Sequence, residues 1–205
     1  MRTEGRESIW NIPNILTLFR FGMVPLFIFM VLQNRAFGAL LVFSLASLTD
    51  VLDGFAARTW RMRTKIGMLL DPLADKALMV PAFVLLSLKG LNSPYVIPLW
   101  LTATVLARDF IIVAGGVVIY RLRGSKEFPP SLFGKISTVC QVGTVFWVLF
   151  SNYIQISSWI SSPALSFLTS RPVLSVFFYS TLVFTVVSGM QYVLRGIRMT
   201  FYPQK

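Results

Sequence analysis

The sequence contains no histidine and a single cysteine, Cys140, among its 205 residues. The absence of histidine removes the commonest general base and the commonest transition-metal ligand from this chain. One cysteine cannot form a disulfide within the chain. Acidic residues are also scarce, because Asp and Glu together number 8 against 19 Lys and Arg. Metal binding and proton transfer therefore depend largely on a small set of carboxylates.

Apolar residues, by contrast, make up 55% of the sequence, and the mean hydropathy is +0.70. Runs long enough for transmembrane helices occur at six places, about residues 13–33, 36–57, 67–89, 95–121, 135–157 and 173–195. The sequence predicts an all-α integral membrane bundle of six transmembrane helices, preceded by a short N-terminal interfacial helix at residues 9–13. One membrane domain over residues 1–205 is expected, without a separate soluble domain. The first run is too long for a cleaved secretory signal and is expected to be retained.

Basic residues lie mainly at alternate ends of these runs, and this asymmetry predicts the orientation in the membrane. One side carries 13 of them, namely Arg2, Arg6, Arg58, Arg61, Arg63, Lys65, Arg121, Arg123, Lys126, Lys135, Arg195, Arg198 and Lys205. The opposite side carries Arg35, Lys89 and Arg171. Because cytoplasmic loops are enriched in Lys and Arg, both termini are expected in the cytoplasm, and in a bacterium the membrane is the inner one. The net charge of +11 then suits the anionic headgroups of a lipid bilayer, and no nucleic acid partner is expected.

Half of the acidic residues, Asp50, Asp53, Asp71 and Asp75, fall within one stretch of the chain. The first two are three residues apart and the last two are four apart, so each pair shares one face of a helix. The basic loop 58–66 joins the two runs as a hairpin, which is expected to bring both acidic faces together near the cytoplasmic surface. Four carboxylates in contact repel one another unless a cation intervenes, and Asp oxygens favour Mg²⁺, Mn²⁺ or Ca²⁺. The alternative is that each acid separately caps a helix or reaches the membrane surface.

Small residues and one arginine accompany these acids. Gly54, Ala57 and Gly67 would let a ligand or a neighbouring helix approach the backbone closely. Arg58 suits a phosphate oxygen. Metal ions that bridge phosphate oxygens act as Lewis acids in phosphoryl transfer. The stretch therefore predicts a site for a phosphate-bearing ligand, in particular a pyrophosphate.

Eight positions of this stretch match the motif D-x2-D-G-x2-A-R-x8-G-x3-D-x3-D with every spacing intact. They are Asp50, Asp53, Gly54, Ala57, Arg58, Gly67, Asp71 and Asp75. On these residues the chain resembles the CDP-alcohol phosphatidyltransferase family, and the likeness extends to six spans and cytoplasmic termini. The resemblance implies an enzyme that moves the phosphatidyl group of CDP-diacylglycerol to an alcohol and releases CMP.

The same resemblance implies roles for individual residues. Asp50, Asp53 and Asp71 would hold a two-metal centre of Mg²⁺ or Mn²⁺. Asp75 can also contact a metal and would be the catalytic base for the acceptor hydroxyl. The residues implied in binding the CDP-lipid are Asp50, Gly54, Ala57, Arg58 and Gly67. The family is commonly dimeric, so a homodimer is expected.

The acceptor alcohol is indicated by other segments. The stretches "NIPNILTLFRFGMVP" at 11–25 and "GMLLDPLADK" at 67–76 resemble phosphatidylglycerophosphate synthases and the related cardiolipin synthases. The first expectation is glycerol 3-phosphate, with Arg108 and Lys135 binding the acceptor. The alternative is phosphatidylglycerol, since the pair Arg108–Asp109 is more like the cardiolipin synthases, and Ser137 replaces a lysine common in the other branch. From the residues alone, Arg108 and Asp109 can equally form a buried charge pair that stabilises the bundle.

Two other classes of function are compatible with an acidic cluster in a membrane protein. One is a transporter or channel that conducts cations, and the other is a non-catalytic homologue that binds the lipid without turnover. Transporters usually bind their substrate near the middle of the bilayer, whereas these acids lie near one face. No residue of the motif is missing, so an enzyme is the favoured interpretation.

Overall fold

Helices account for nearly all of the chain that the computed structural model describes. It describes the backbone of residues 12–60, 65–88, 93–123, 132–157 and 162–201, and the side chains of residues 18–50, 76–88, 93–115, 132–157 and 162–196. The helices are α1 (Ile12–Leu32), α2 (Ala36–Trp60), α3 (Lys65–Ser87), α4 (Leu99–Arg123), α5 (Leu132–Ile156), α6 (Pro163–Leu168) and α7 (Arg171–Phe201). No strand occurs within these ranges. The predicted all-α class is therefore confirmed.

The six long helices coincide with the six predicted apolar runs to within a few residues at most ends. Among the residues whose side chains the structure describes, two segments, Leu132–Ile156 and Pro163–Gly196, are long and apolar enough to cross a membrane. Six crossings remain a prediction. The predicted interfacial helix at 9–13 lies mostly outside the described residues, and α6 is an additional short helix.

The chain divides into two compact units, Met1–Ser93 and Pro94–Lys205, and the expected single domain stays a prediction. In the first unit α1 packs against α2 and α3. The apolar seam recurs at helical spacing, and its buried residues are Met23, Phe27, Val31, Ala39, Phe43, Ala46, Ala82 and Phe83. Alanine at several of these positions lets the helix backbones come close.

A tight turn joins α1 to α2 and makes them antiparallel neighbours. The Arg35 N–H donates to the Met30 carbonyl at 2.9 Å, and the Asn34 N–H donates to the Val31 carbonyl at 3.0 Å. Asn34 has φ 55°, the left-handed conformation that Asn and Gly adopt most readily after a helix. The turn therefore fixes the register in which α1 faces α2.

In the second unit α4 and α5 each pack against α7. Small hydroxyl side chains line the buried contact between α5 and α7. The Thr144 and Thr181 hydroxyls are 2.7 Å apart, and the Ser137 and Thr185 hydroxyls are 3.1 Å apart. Such residues let apolar helices approach closely while their polar atoms bond one another. The polar seam holds α5 and α7 in one register.

Candidate active site

The antiparallel hairpin of α1 and α2 brings Arg20 to the first carboxylate of the motif. Phe27 of α1 contacts Phe43 of α2, with ring centroids 5.9 Å apart. Arg20 lies seven residues before Phe27 and Asp50 lies seven after Phe43. Arg20 and Asp50 therefore lie on the facing sides of the two helices, about two turns from the contact between the two rings. There the Arg20 Nη1 donates to the Asp50 Oδ1 at 2.7 Å.

The two partners of this ion pair differ sharply in exposure. The Arg20 side chain is 1% exposed, whereas the Asp50 side chain is 45% exposed. Arg20 thus continues the buried face of α1, and Asp50 stands where the apolar seam ends. One carboxylate oxygen is held from the protein interior while the side chain stays open to the outside. A half-exposed, oriented carboxylate fits a hard divalent cation, which takes oxygen ligands.

The remaining motif residues are placed by their helices. Asp53, Gly54, Ala57 and Arg58 lie on α2, and Gly67, Asp71 and Asp75 lie on α3. The helical backbone confirms that each pair of acids shares a helix face. Their side chains lie outside the described ones, so the meeting of the two acidic faces remains a prediction. Among the described side chains, no three metal-ligating residues come together.

Arg108 forms an ion pair with Asp109, which is one of the two alternatives that the sequence allowed. Its Nη1 donates to the Asp109 Oδ1 at 2.8 Å, and its Nη2 donates to the Ser188 Oγ of α7 at 2.9 Å. Both charged side chains are about nine-tenths buried. Although neighbours on a helix point in different directions, the long arginine side chain turns back far enough to reach Asp109. The hydrogen bond to Ser188 ties α4 to α7, and Asp109 balances the buried charge of Arg108.

A cavity of about 480 Å³ lies beside this pair, between α4 and α7. Its walls are mostly apolar, and Arg108 is the charged residue among those that line it. Several large apolar lining side chains are exposed, namely Ile111, Val186, Met190, Val193 and Leu194. Gly189 also lines the cavity, and a Cβ there would lie 3.5 Å from the Arg108 Cγ. A larger side chain at position 189 would therefore occupy space next to Arg108.

Lys135 lies in the first turn of α5 and is exposed. Ser137, two residues later, is buried against Thr185 of α7. Residues two apart on a helix do not face the same way, so Lys135 points away from the α7 contact. No measured contact joins Lys135 to Arg108 among the described side chains. Joint binding of an acceptor by Lys135 and Arg108 remains a prediction.

Arg20 is the site residue that the sequence prediction missed. Three cations, Arg20, Lys76 and Arg108, lie inside apolar runs and away from their ends. An ionisable residue within a predicted transmembrane segment indicates a functional or paired group. That signal marks Arg20 as one of three candidates, but its partner follows only from the register of the α1–α2 hairpin.

Comparison with known proteins agrees with the motif. A family model described as CDP-alcohol phosphatidyltransferase matches residues 10–187. The chain is 31% identical over 212 residues to a Rattus norvegicus protein named cardiolipin synthase (CMP-forming), covering 91% of this chain and 67% of the relative. It is 36% identical over 146 residues to the Escherichia coli K12 CDP-diacylglycerol–glycerol-3-phosphate 3-phosphatidyltransferase, covering 68% of this chain and 77% of the relative. A Shigella flexneri protein of the same name matches with the same identity and coverage.

Proposed function

Because this chain belongs to the CDP-alcohol phosphatidyltransferase family, we propose that it transfers the phosphatidyl group of CDP-diacylglycerol to glycerol 3-phosphate and releases CMP. The observation that carries the proposal is the intact motif on α2 and α3, with its first carboxylate, Asp50, held by Arg20 and open to the outside. The similar E. coli protein is named for this acceptor.

The reaction requires a deprotonated hydroxyl and a stabilised leaving group. Enzymes of this family use divalent metals in general. Asp50, Asp53 and Asp71 would hold two Mg²⁺ or Mn²⁺ ions, which supply Lewis acidity to the pyrophosphate when bound. Gly54, Ala57, Arg58 and Gly67 would receive the cytidine nucleotide and its phosphates.

Asp75 would accept the proton of the acceptor hydroxyl. The hydroxyl oxygen then forms a bond to the phosphorus next to the diacylglycerol. The bond from that phosphorus to the bridging oxygen breaks, and CMP leaves with the electron pair. Arg58 can stabilise negative charge on the departing phosphate because a guanidinium bonds phosphate oxygens in a fixed geometry.

The proposed setting is a membrane. The two long apolar segments and the exposed apolar faces of α4 and α7 support a multi-pass protein in a lipid bilayer. The distribution of basic residues supports cytoplasmic termini and a cytoplasmic active site, with the inner membrane as the location in a bacterium. A homodimer remains part of the proposal.

Phosphatidylglycerol is the second candidate acceptor, and the cavity beside Arg108 favours it. Its apolar walls suit a hydrocarbon chain, and its volume of about 480 Å³ falls within the usual range of small-molecule sites. Arg108 is already paired with Asp109, so the cavity offers little net positive charge for the dianionic phosphate of glycerol 3-phosphate. Exposed Lys135, by contrast, is accessible to a soluble phosphate such as glycerol 3-phosphate.

CMP release with each acceptor supplied separately tests these candidates. Purified protein in detergent would receive CDP-diacylglycerol, Mn²⁺, and glycerol 3-phosphate, phosphatidylglycerol, inositol phosphate or serine. We expect release with glycerol 3-phosphate. Lys135→Ala should raise the KM for glycerol 3-phosphate about tenfold, because one hydrogen bond to a charged group is lost. The KM for CDP-diacylglycerol should not change. An equal rise in both KM values would exclude Lys135 from acceptor binding.

Release with phosphatidylglycerol alone would establish the second candidate instead. In that case Gly189→Leu should raise the KM for phosphatidylglycerol, because the leucine side chain occupies part of the cavity next to Arg108. Gly143→Leu is the matched control, since a Cβ at this helical glycine has no neighbour within 4 Å. Equal kinetics of the two leucine variants would show that the cavity has no part in acceptor binding.

A further inference from the structure

We propose that Arg20 is a positioning residue for the metal site. Its guanidinium holds one oxygen of the Asp50 carboxylate, so that the other carboxylate oxygen is directed at the metal. The proposal rests on the proposed function in one respect, the assignment of Asp50 as a metal ligand. Nothing in the motif includes Arg20, which lies on α1, thirty residues before Asp50. The inference rests on the contact, burial and register of the pair.

Arg20 is placed to act through Asp50 and not on a substrate. Its side chain is 1% exposed and accordingly cannot reach a phosphate at the surface. Its neighbours along the same face of α1 are Met23 and Phe27, both buried. Nη1 meets Asp50 Oδ1 at 2.7 Å, the distance of a strong charge-assisted hydrogen bond. The guanidinium is therefore a fixed donor at the inner side of the carboxylate.

The Arg108–Asp109 ion pair of α4 provides a comparison within the same protein. The side chains of Arg108 and Asp109 are 10% and 9% exposed, so both partners are enclosed. In the Arg20–Asp50 pair only the cation is enclosed, and the carboxylate is 45% exposed. The outer side of the Asp50 carboxylate is accessible to a further ligand, whereas the Asp109 carboxylate is enclosed. The asymmetry presents an oriented carboxylate at the edge of the hydrophobic seam.

Orientation of a ligand matters for metal binding. A group that hydrogen-bonds to a metal-ligating side chain restricts the rotation of that side chain before the metal binds. Loss of such a group typically weakens metal affinity or activity about 10- to 100-fold. The register of the α1–α2 hairpin, fixed by the turn at Asn34, places Arg20 for this task. Arginine also offers a rigid planar fork, which the compact ammonium of lysine does not.

Direct Mn²⁺ binding by the purified full-length protein, measured without substrate by the loss of the free-ion electron paramagnetic resonance signal, tests the proposal. Arg20→Met should weaken the affinity about 10- to 100-fold, and Arg20→Lys should also weaken it measurably. Asp50→Asn should weaken binding as well. The double variant Arg20→Met/Asp50→Asn should bind Mn²⁺ as Asp50→Asn does, because the proposed effect of Arg20 on the metal is transmitted through Asp50. Arg35→Met is the control for losing an arginine, since Arg35 is exposed in the turn after α1.

The outcomes separate this proposal from the one it rests on. If the wild type binds no Mn²⁺, or if Asp50→Asn binds it as tightly as the wild type, the metal assignment fails and the role of Arg20 fails with it. If Asp50→Asn weakens binding but Arg20→Met does not, only the role of Arg20 is overturned. Thermal unfolding identifies any variant that fails to fold. If Arg20→Met fails to fold, Arg20→Lys takes its place in the test. A folded Arg20→Lys variant that binds Mn²⁺ with the wild-type affinity would overturn the proposal.

Discussion

Asp75→Asn is expected to lower the rate of CMP release about 10²- to 10⁴-fold, the usual contribution of a positioned general base. An amide has nearly the shape of a carboxylate but does not accept the proton of the acceptor hydroxyl. Asp50, Asp53 and Asp71 would still hold the metals, so binding of Mn²⁺ and of CDP-diacylglycerol should change little. Single-turnover CMP release and equilibrium binding of the CDP-lipid measure the two effects separately.

Glu127→Gln is the control for this substitution, because it removes a carboxylate that lies outside the motif, between α4 and α5 in the sequence. It should release CMP at the wild-type rate. If Asp75→Asn retained activity, Asp75 would not be the base. If the variant lost metal and lipid binding together with activity, Asp75 would serve chiefly as a metal ligand.

Arg108→Met is expected to destabilise the protein by about 3–5 kcal/mol, the cost of removing one partner of a buried ion pair. Asp109 is 7% exposed and would lose its hydrogen bond from the guanidinium, and Ser188 would lose its donor. Unfolding of the purified protein in detergent measures the loss. The double variant Arg108→Met/Asp109→Leu should recover most of it, because apolar side chains of similar volume often replace a buried ion pair without cost.

The double variant also distinguishes the two interpretations of Arg108. If Arg108 binds the acceptor, the folded double variant should show a raised KM for the acceptor and an unchanged KM for CDP-diacylglycerol. If both KM values match those of the wild type, Arg108 is structural and the acceptor binds elsewhere. A single variant as stable as the wild type would contradict the energetic account of the pair.

The positions of the long helices could be predicted because each apolar run is bounded by charged or helix-breaking residues. α5, for example, was predicted at 135–157 and spans Leu132–Ile156. The short α6 follows no periodic pattern long enough to detect. The motif acids were found from their spacing, since residues three or four apart share a helix face whatever the tertiary structure.

Contacts between helices were harder to predict, because they depend on register. Arg20 and Asp50 meet because the turn around Asn34 sets α1 against α2 with Phe27 facing Phe43. The residues around Arg20 in the sequence do not indicate that Asp50 is its partner. Likewise, the pairing of Arg108 with Asp109 depends on a side-chain conformation stabilised by Ser188 of α7, which lies 80 residues away along the chain.

Metal-dependent transfer is the central claim, and CMP release from CDP-diacylglycerol by the purified protein tests it most directly. With an alcohol acceptor and Mn²⁺ or Mg²⁺, CMP and a new phospholipid should appear in equal amounts. Both should disappear when the acceptor is omitted, when the metal is removed with a chelator, and in Asp53→Asn. Equal turnover with and without the chelator, or CMP release without a matching phospholipid, would contradict the account.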